Sequence, residues 1–364
     1  MKFIFSNYDS PKNPYYNGGG ASAIHKIASS LSAKHDVTVI AGSFPNANNE
    51  IIDHVKYRYI GLPWLGTLNQ LVYILTLPYY VLTSSFDLWV ESFIPPFSST
   101  FVPFWTKQKV VGFAQLLSAH DFSKKYFHLP FPVIERLALR RYKHIIALSN
   151  SVVTRIKSIS PSCEVLNYGL GYDPIISSAS RSTSQPYFLF LGRIDLFQKG
   201  LDILVDIYAK YNIKTKLLIA GSGIDSEVAK LKRLIADNHL NKKVFLLGRV
   251  ERDKKHDLLA NALATIVPSR YETFSLSALE SMVHGAPVIY SDLPDLKWIP
   301  AISGLSFALN QPAQLAKLLL DFSRRHPRSL GSRAKIKQSV SHLAWSKLLP
   351  RYRKYLIQLG ASND

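Results

Sequence analysis

The chain has 364 residues, the length of two ordinary domains of about 150 residues each or of one large barrel. Hydrophobic residues make up 47% and charged residues 19%, which excludes a disordered chain. With 44 Lys and Arg against 25 Asp and Glu, the net charge of +19 calls for anionic partners: nucleic acid, phosphorylated ligands or an acidic membrane.

The opening segment has no apolar run followed by a small-residue cleavage site, so no secretory signal is expected. Lys2–Ser6 reads as a strand, followed by a glycine-rich loop and a helical pattern over Ala23–Ala33. His35–Ala41 is the next strand. From Tyr59 to Phe86 there is no charged residue, and Leu65–Leu82 is largely apolar. Pro63, Asn69, Gln70 and Pro78 interrupt it, which favours a buried or membrane-surface helix over a spanning one. Strands follow at Asp87–Glu91 and Val110–Phe113, then a helix at Val133–Arg141 and a strand at His144–Ala147.

The lone cysteine, Cys163, excludes intramolecular disulfides and a cysteine-based zinc cluster, and it suits a reducing compartment. Ser177–Pro186 is polar and rich in breakers, a linker pattern. The alternation then restarts. Strands are expected at Tyr187–Leu191, Lys216–Ala220, Val244–Leu247, Thr265–Val267 and Pro287–Tyr290. Helices are expected at Leu201–Tyr211, Ser226–Asn238, Lys254–Asn261 and Ser275–His284, with a helical tail over Gln311–Gly360. Strands alternating with helices imply parallel βαβ units, hence two doubly wound α/β domains with a ligand cleft between them. The expected division is 1–178, a linker at 179–186, 187–340, and a helical tail at 341–364.

Two segments of the second half carry chemistry. Leu191-Gly-Arg193 and Lys199-Gly200 flank a strand-to-helix loop, where two cations can converge on one anion with helix amides behind them. Pro268-Ser-Arg-Tyr-Glu272-Thr-Phe-Ser275 then leads into a helix that carries Glu280 eight residues after Glu272. Taken alone, Glu272 reads as a helix cap and Glu280 as a solvated face. The apolar residues around Glu280 argue that its carboxylate needs a partner, such as the hydroxyls of a sugar.

This block, PSRYETFSLSALESMVHGAPVI, resembles that of the retaining nucleotide-sugar glycosyltransferases of GT-B architecture, glycosyltransferase family 4 (glycosyl transferases group 1). Further matches are Gly18-Gly19-Gly20 before a helix, Leu148-Ser149, Asn167-Tyr-Gly169, Ala220-Gly221-Ser-Gly223, Gly248-Arg-Val250 and Ala344-Trp345-Ser346. The resemblance runs from about Lys2 to Trp345. It implies two Rossmann-like domains facing across a cleft, with a C-terminal helix returning to the first. It implies an acceptor-binding first domain, a donor-binding second domain, and a hexosyltransferase (EC 2.4) acting on a nucleotide-diphosphate sugar.

The resemblance also assigns roles. Arg193 and Lys199 hold the diphosphate, assisted by the amides of Phe274, Ser275 and Leu276. Glu280 binds ribose and Glu272 the transferred sugar. Gly221 shapes the donor site, and Gly248 and Val250 pass near the base. Gly19 and Gly20 let backbone approach the phosphate, and His120 is the active-site histidine. As a bare loop histidine, His120 competes with His25, His35 and His128. Ser275 replaces the family's glycine, which is expected to tighten the phosphate loop, and Ser281 replaces its alanine. With no Asp-x-Asp motif and no metal-ligand spacing, the enzyme is expected to be metal-independent and to need no cofactor.

The positive charge is uneven: +6 over residues 1–178 and +13 over the rest. Ten cations and no acid lie between Phe322 and Lys354, and a second cluster spans Lys124–Lys143 with aromatic residues interleaved. Such clusters suit an anionic membrane surface, so a cytoplasmic, membrane-peripheral enzyme with a saccharide or lipid-linked acceptor is expected. Polysaccharide, lipopolysaccharide or glycolipid synthesis is the corresponding setting. A nucleotide-sugar epimerase or inverting transferase on the same architecture is the alternative enzyme. A basic nucleic-acid-binding protein would explain the charge but not the glycine loops or the glutamate pair.

Overall fold

The computed structural model describes residues 1–14, 18–94, 97–115, 117, 119, 123, 130–174, 185–324 and 329–362. It divides into two compact units, Met1–Gly171 with Trp345–Asp364, and Tyr172–Ala344. The first contains β1 (Lys2–Ser6), α1 (Gly19–Ser32), β2 (Asp36–Gly42), β3 (Glu50–Ile52), β4 (Val55–Ile60) and α2 (Asn69–Thr83). It continues with β5 (Leu88–Ser92), β6 (Val110–Ala114), α3 (Phe131–Leu139), β7 (His144–Ala147), α4 (Asn150–Ile159) and β8 (Glu164–Asn167). Its sheet runs β3-β4-β2-β1-β5-β6-β7-β8 and is parallel except for the β3–β4 hairpin at the edge.

In the second unit, β9 (Tyr187–Leu191), α5 (Leu201–Lys210), β10 (Lys216–Ala220), α6 (Asp225–Asp237), β11 (Val244–Gly248) and α7 (Arg252–Asn261) form one half. β12 (Ala264–Val267), α8 (Leu276–Val283), β13 (Val288–Ser291), β14 (Gly304–Phe307), α9 (Pro312–Arg324) and α10 (Arg333–Ser339) form the other. The all-parallel sheet has the order β11-β10-β9-β12-β13-β14. That is the doubly wound Rossmann order, in which the winding reverses between β9 and β12. Central strands such as β12 are buried on both faces, which is why they read as unbroken apolar runs.

The last helix, α11 (Trp345–Ala361), belongs to the first unit and packs on α1 and β5. Trp345, Leu348, Tyr352, Tyr355 and Leu356 are its buried face, and Tyr352 donates to the Gly169 carbonyl at 2.6 Å. Among the described residues the helical tail is therefore three α-helices and a short 3-10 turn, Ser341–Leu343, and it is split between the units. The ten-cation run divides with it: Arg333, Lys335 and Lys337 lie in α10, and Lys347, Arg351, Arg353 and Lys354 in α11. The expected linker falls mostly outside the described residues.

Candidate donor site

In doubly wound sheets, ligands bind beyond the carboxyl ends of the strands where the winding reverses. In the second unit that point lies at the loops after β9 and β12, which carry Arg193, Lys199 and Glu272. Lys199 Nζ lies 2.5 Å from Glu272 Oε1, and Ser269 Oγ donates to the same oxygen at 3.0 Å. The ion pair thus ties the two loops together, and both side chains are mostly sheltered. Arg193 is exposed and donates to Gln198 Oε1 at 2.7 Å. The loops are further fixed by Arg270, which makes two 2.8 Å bonds to Asp202 and lies 4.3 Å over the Phe197 ring.

Close backbone approach explains two glycines. A Cβ on Gly200 would sit 1.9 Å from the Pro268 carbonyl oxygen, so only glycine lets the β9 and β12 loops meet. A Cβ on Gly221 would sit 1.7 Å from the Gly192 carbonyl oxygen, locking the β10 loop against the β9 loop. Gly221 N–H in turn donates to Gly248 O at 2.8 Å. Gly248 opens into free space on its Cα side, and Val250 packs on a small apolar cluster with Leu189 and Leu259.

Ser275 holds the position where the family pattern has glycine, and its φ is +64°. Left-handed backbone costs a residue with a Cβ about 1 kcal/mol or more, and Ser275 offsets part of this by capping α8 through Ala278 N–H at 3.4 Å. Phe274 stacks on Trp298 with centroids 4.3 Å apart, and Trp298 Nε1–H donates to the Phe274 carbonyl at 2.7 Å. Trp298 therefore positions the loop, a role that no local pattern in the sequence marks.

Around Glu280, α8 buries Ala278, Leu279, Ser281, Met282 and Val283, yet the carboxylate itself stays partly open. Its partner is Lys255 Nζ at 2.8 Å, contributed by α7. Behind it, His284 Nδ1–H donates to the Glu280 carbonyl at 2.7 Å, which leaves Nε2 to accept from His256 Nδ1–H at 2.8 Å. Burial holds His284 below the ordinary histidine value. Ser281, in place of the family's alanine, donates to Thr265 and so ties α8 to β12.

In the first unit, Gly19 and Gly20 form the first turn of α1, whose start carries no capping side chain. A Cβ on Gly20 would collide with the Gln115 amide at the end of β6. His120 lies outside the described residues, as does Lys124–Leu129 of the aromatic-basic cluster.

Residues 173–337 match the family model described as glycosyl transferases group 1. The second unit is thus similar, over nearly its whole length, to glycosyl transferases group 1. The matched stretch contains Arg193, Lys199, Gly221, Gly248, Val250, Glu272, Phe274, Ser275, Leu276 and Glu280, whereas Gly19, Gly20 and His120 precede it. The GDP-mannose:cellobiosyl-diphosphopolyprenol alpha-mannosyltransferase of Xanthomonas oryzae pv. oryzae is 25% identical over 236 residues, 61% of this chain and 60% of that protein. The chain spans 60% of the length of that relative and 22% of the glycogen synthase of Elusimicrobium minutum, to which it is 33% identical over 110 residues. Among solved structures, sucrose-phosphate synthase from Thermosynechococcus elongatus superposes with a TM-score of 0.81 at 18% identity, covering 99% of both chains. HepE of Anabaena, in complex with UDP-glucose, gives 0.74 at 15% identity over 98% of this chain and 100% of that one. The architecture is GT-B, as the sequence implied.

Proposed function

We propose that the protein is a retaining, metal-independent hexosyltransferase that moves a hexose from a nucleotide-diphosphate sugar to a saccharide or lipid-linked acceptor. The observation that carries this reading is the Lys199–Glu272 pair at the reversal of the second sheet, with Arg193 exposed beside it. Arg193 and Lys199 take the diphosphate, and the amides of Phe274, Ser275 and Leu276 supply further donors at the start of α8. As the phosphate engages Lys199, Glu272 is released to accept from hydroxyls of the transferred sugar. Glu280, partly open to solvent and paired with Lys255, accepts from the ribose.

The bond between the anomeric carbon and the β-phosphate oxygen breaks, and the acceptor oxygen bonds to that carbon from the same face. The acceptor's proton passes to the departing phosphate. Two cations and helix amides neutralise the charge that develops on the leaving group, so no metal is required. His120, after the β6 strand, contacts the donor sugar near the reacting carbon in this reading.

The enzyme works at the cytoplasmic face of an anionic membrane. Exposed Lys347, Arg351, Arg353 and Lys354 on α11 support this, as does the diphosphopolyprenol-linked acceptor in the name of the mannosyltransferase relative.

A thermal-shift screen against UDP-, GDP-, ADP- and CMP-sugars tests the donor site. One donor should stabilise the protein, and Lys199→Ala or Glu280→Ala should abolish that shift. An unchanged shift in both variants would place the donor elsewhere. Activity that a chelator removes and Mg²⁺ restores would overturn metal independence.

A further inference from the structure

Helix α2 is apolar on two opposite faces. Tyr73, Ile74, Leu77 and Val81 are buried in the first unit. On the other side, Leu71, Leu75, Tyr79 and Leu82 recur at spacings of four, four and three, one continuous stripe. Leu75 is 78% exposed, and Tyr79 and Leu82 are each 65% exposed. The helix has no charged residue at all, and the turn leading into it presents Trp64, 75% exposed. A helix that is apolar all round belongs in a core or in lipid, and a solvated stripe of this kind marks an interaction surface.

The neighbourhood extends that surface and gives it charge. Helix α2 packs on the short turn Val102–Phe104, which is followed by exposed Trp105. The Arg141 guanidinium lies 4.9 Å over the Phe104 ring, and Arg58 lies 5.6 Å over the Tyr80 ring beside Tyr79. From His54 to Phe86 the sequence holds Lys56 and Arg58 but no acid. Apolar and indole side chains flanked by Arg58 and Arg141 match the acyl boundary and phosphate headgroups of an anionic bilayer.

At 15 residues, α2 is about 22 Å long, short of the roughly 30 Å hydrocarbon core, and Pro78 lies within it. Among the described residues no helix is long and apolar enough to cross a membrane. The geometry points to α2 as an in-plane insertion helix: Leu71, Leu75, Tyr79 and Leu82 enter the acyl boundary while Arg58 and Arg141 engage lipid phosphates. This rests on the membrane reading above but assigns the anchor to the apolar stripe of the first unit instead of to the basic tail. A second copy of the chain is the poorer occupant, because a twofold pairing of this face sets its flanking cations against each other.

The experiment compares full-length wild type, Leu75→Gln/Tyr79→Gln and Lys347→Gln/Arg353→Gln in flotation with vesicles of phosphatidylcholine, with and without phosphatidylglycerol. Wild type should float with the anionic vesicles and keep part of its binding in high salt. Leu75→Gln/Tyr79→Gln should bind at least about tenfold more weakly with an unchanged melting temperature, since both positions are solvated. The blue shift of tryptophan emission on vesicle addition should shrink in Trp64→Phe. Equal binding by wild type and Leu75→Gln/Tyr79→Gln, with loss in Lys347→Gln/Arg353→Gln, would overturn the α2 assignment and leave the membrane reading standing. No binding of wild type to either vesicle would overturn both. A wild-type dimer that Leu75→Gln/Tyr79→Gln converts to monomer, with vesicle binding intact, would assign the stripe to self-association and overturn the proposal.

Discussion

The two sheets share one winding scheme, yet they use the acid next to the reversal in opposite ways. In the first unit Glu91 lies on β5, the strand beside β1, and is fully buried. It accepts from Ser99, Thr100 and Val102 and from Tyr142 Oη at 2.5 Å, with no cation among these donors. Burial pushes its pKa up even though the bonds from Tyr142, Thr100 and Ser99 pull it down. In the second unit Glu272 follows β12, the strand beside β9, and meets Lys199 at 2.5 Å in a setting still reached by solvent. A carboxylate wrapped in neutral donors is committed to holding a loop. One that shares a single cation can exchange it for a ligand. Position in the fold nominates both acids, and the partner set tells them apart.

Replacing Glu91 gives the largest expected effect. Glu91→Ala leaves two amides and several hydroxyls buried without an acceptor and should cost about 3–5 kcal/mol, measured by urea unfolding. A loss below about 1 kcal/mol would erase the contrast with Glu272. Tyr142→Phe removes one of the bonds and should cost about 1–2 kcal/mol.

Lys199→Ala should leave folding stability within about 1 kcal/mol of wild type while lowering kcat/KM about a hundredfold or more, because diphosphate charge then develops with one cation instead of two. Initial-rate kinetics with the donor found in the thermal screen would check it. Equal losses of stability and activity would make the pair structural, like Glu91.

Smaller is the effect of Ser275→Gly. Removing the Cβ at φ +64° relieves about 1 kcal/mol, and exchanging a serine cap for a glycine one costs only a few tenths, so a net gain of about 0.5 kcal/mol is expected in calorimetry.

The two units should also respond to pH in opposite directions. Glu91 is raised in the folded state, so its contribution is present below the unfolded carboxyl value and is lost as pH rises through the folded one. His284 is lowered by burial, so its contribution is present above the unfolded value of 6.5 and is lost as pH falls through the folded one. Glu91→Gln and His284→Gln should each flatten only their own limb of the stability–pH curve.

Much of this architecture was legible in the sequence because the central strands are short apolar runs bounded by helices and breakers. Lys2–Ser6 and Tyr187–Leu191 read to the residue. The β3–β4 hairpin escaped, since Ile51 on its outer strand is exposed and the pair is too short for a firm alternation. Helix α4 and strand β8 were missed as well, the former amphipathic but low in mean hydropathy. Helix α1 begins four residues before Ala23, inside a triple glycine that helix propensity argues against.

For the site, Arg193 and Lys199, and Glu272 and Glu280, were nominated from local sequence. Their partners were not, because Lys199 and Glu272 are 73 residues apart and Lys255 and Glu280 are 25 apart. Only the fold brings such pairs together. Trp298 and Tyr142 escaped for the same reason. On α2, both faces are apolar, so the sequence could not say which one the core covers.

Helix α11 has a consequence for how the molecule is made. The first unit is encoded in two pieces separated by the whole of the second, and its closing piece supplies Trp345, Tyr352 and Leu356 to the core. During synthesis, emergence of residue 171 does not complete the amino-terminal unit, whereas Tyr172–Ala344 is already contiguous. The later-encoded unit can therefore be the first to reach its finished form on the ribosome. A nonsense mutation just before Trp345 would strike hardest at the far, amino-terminal end of the gene product.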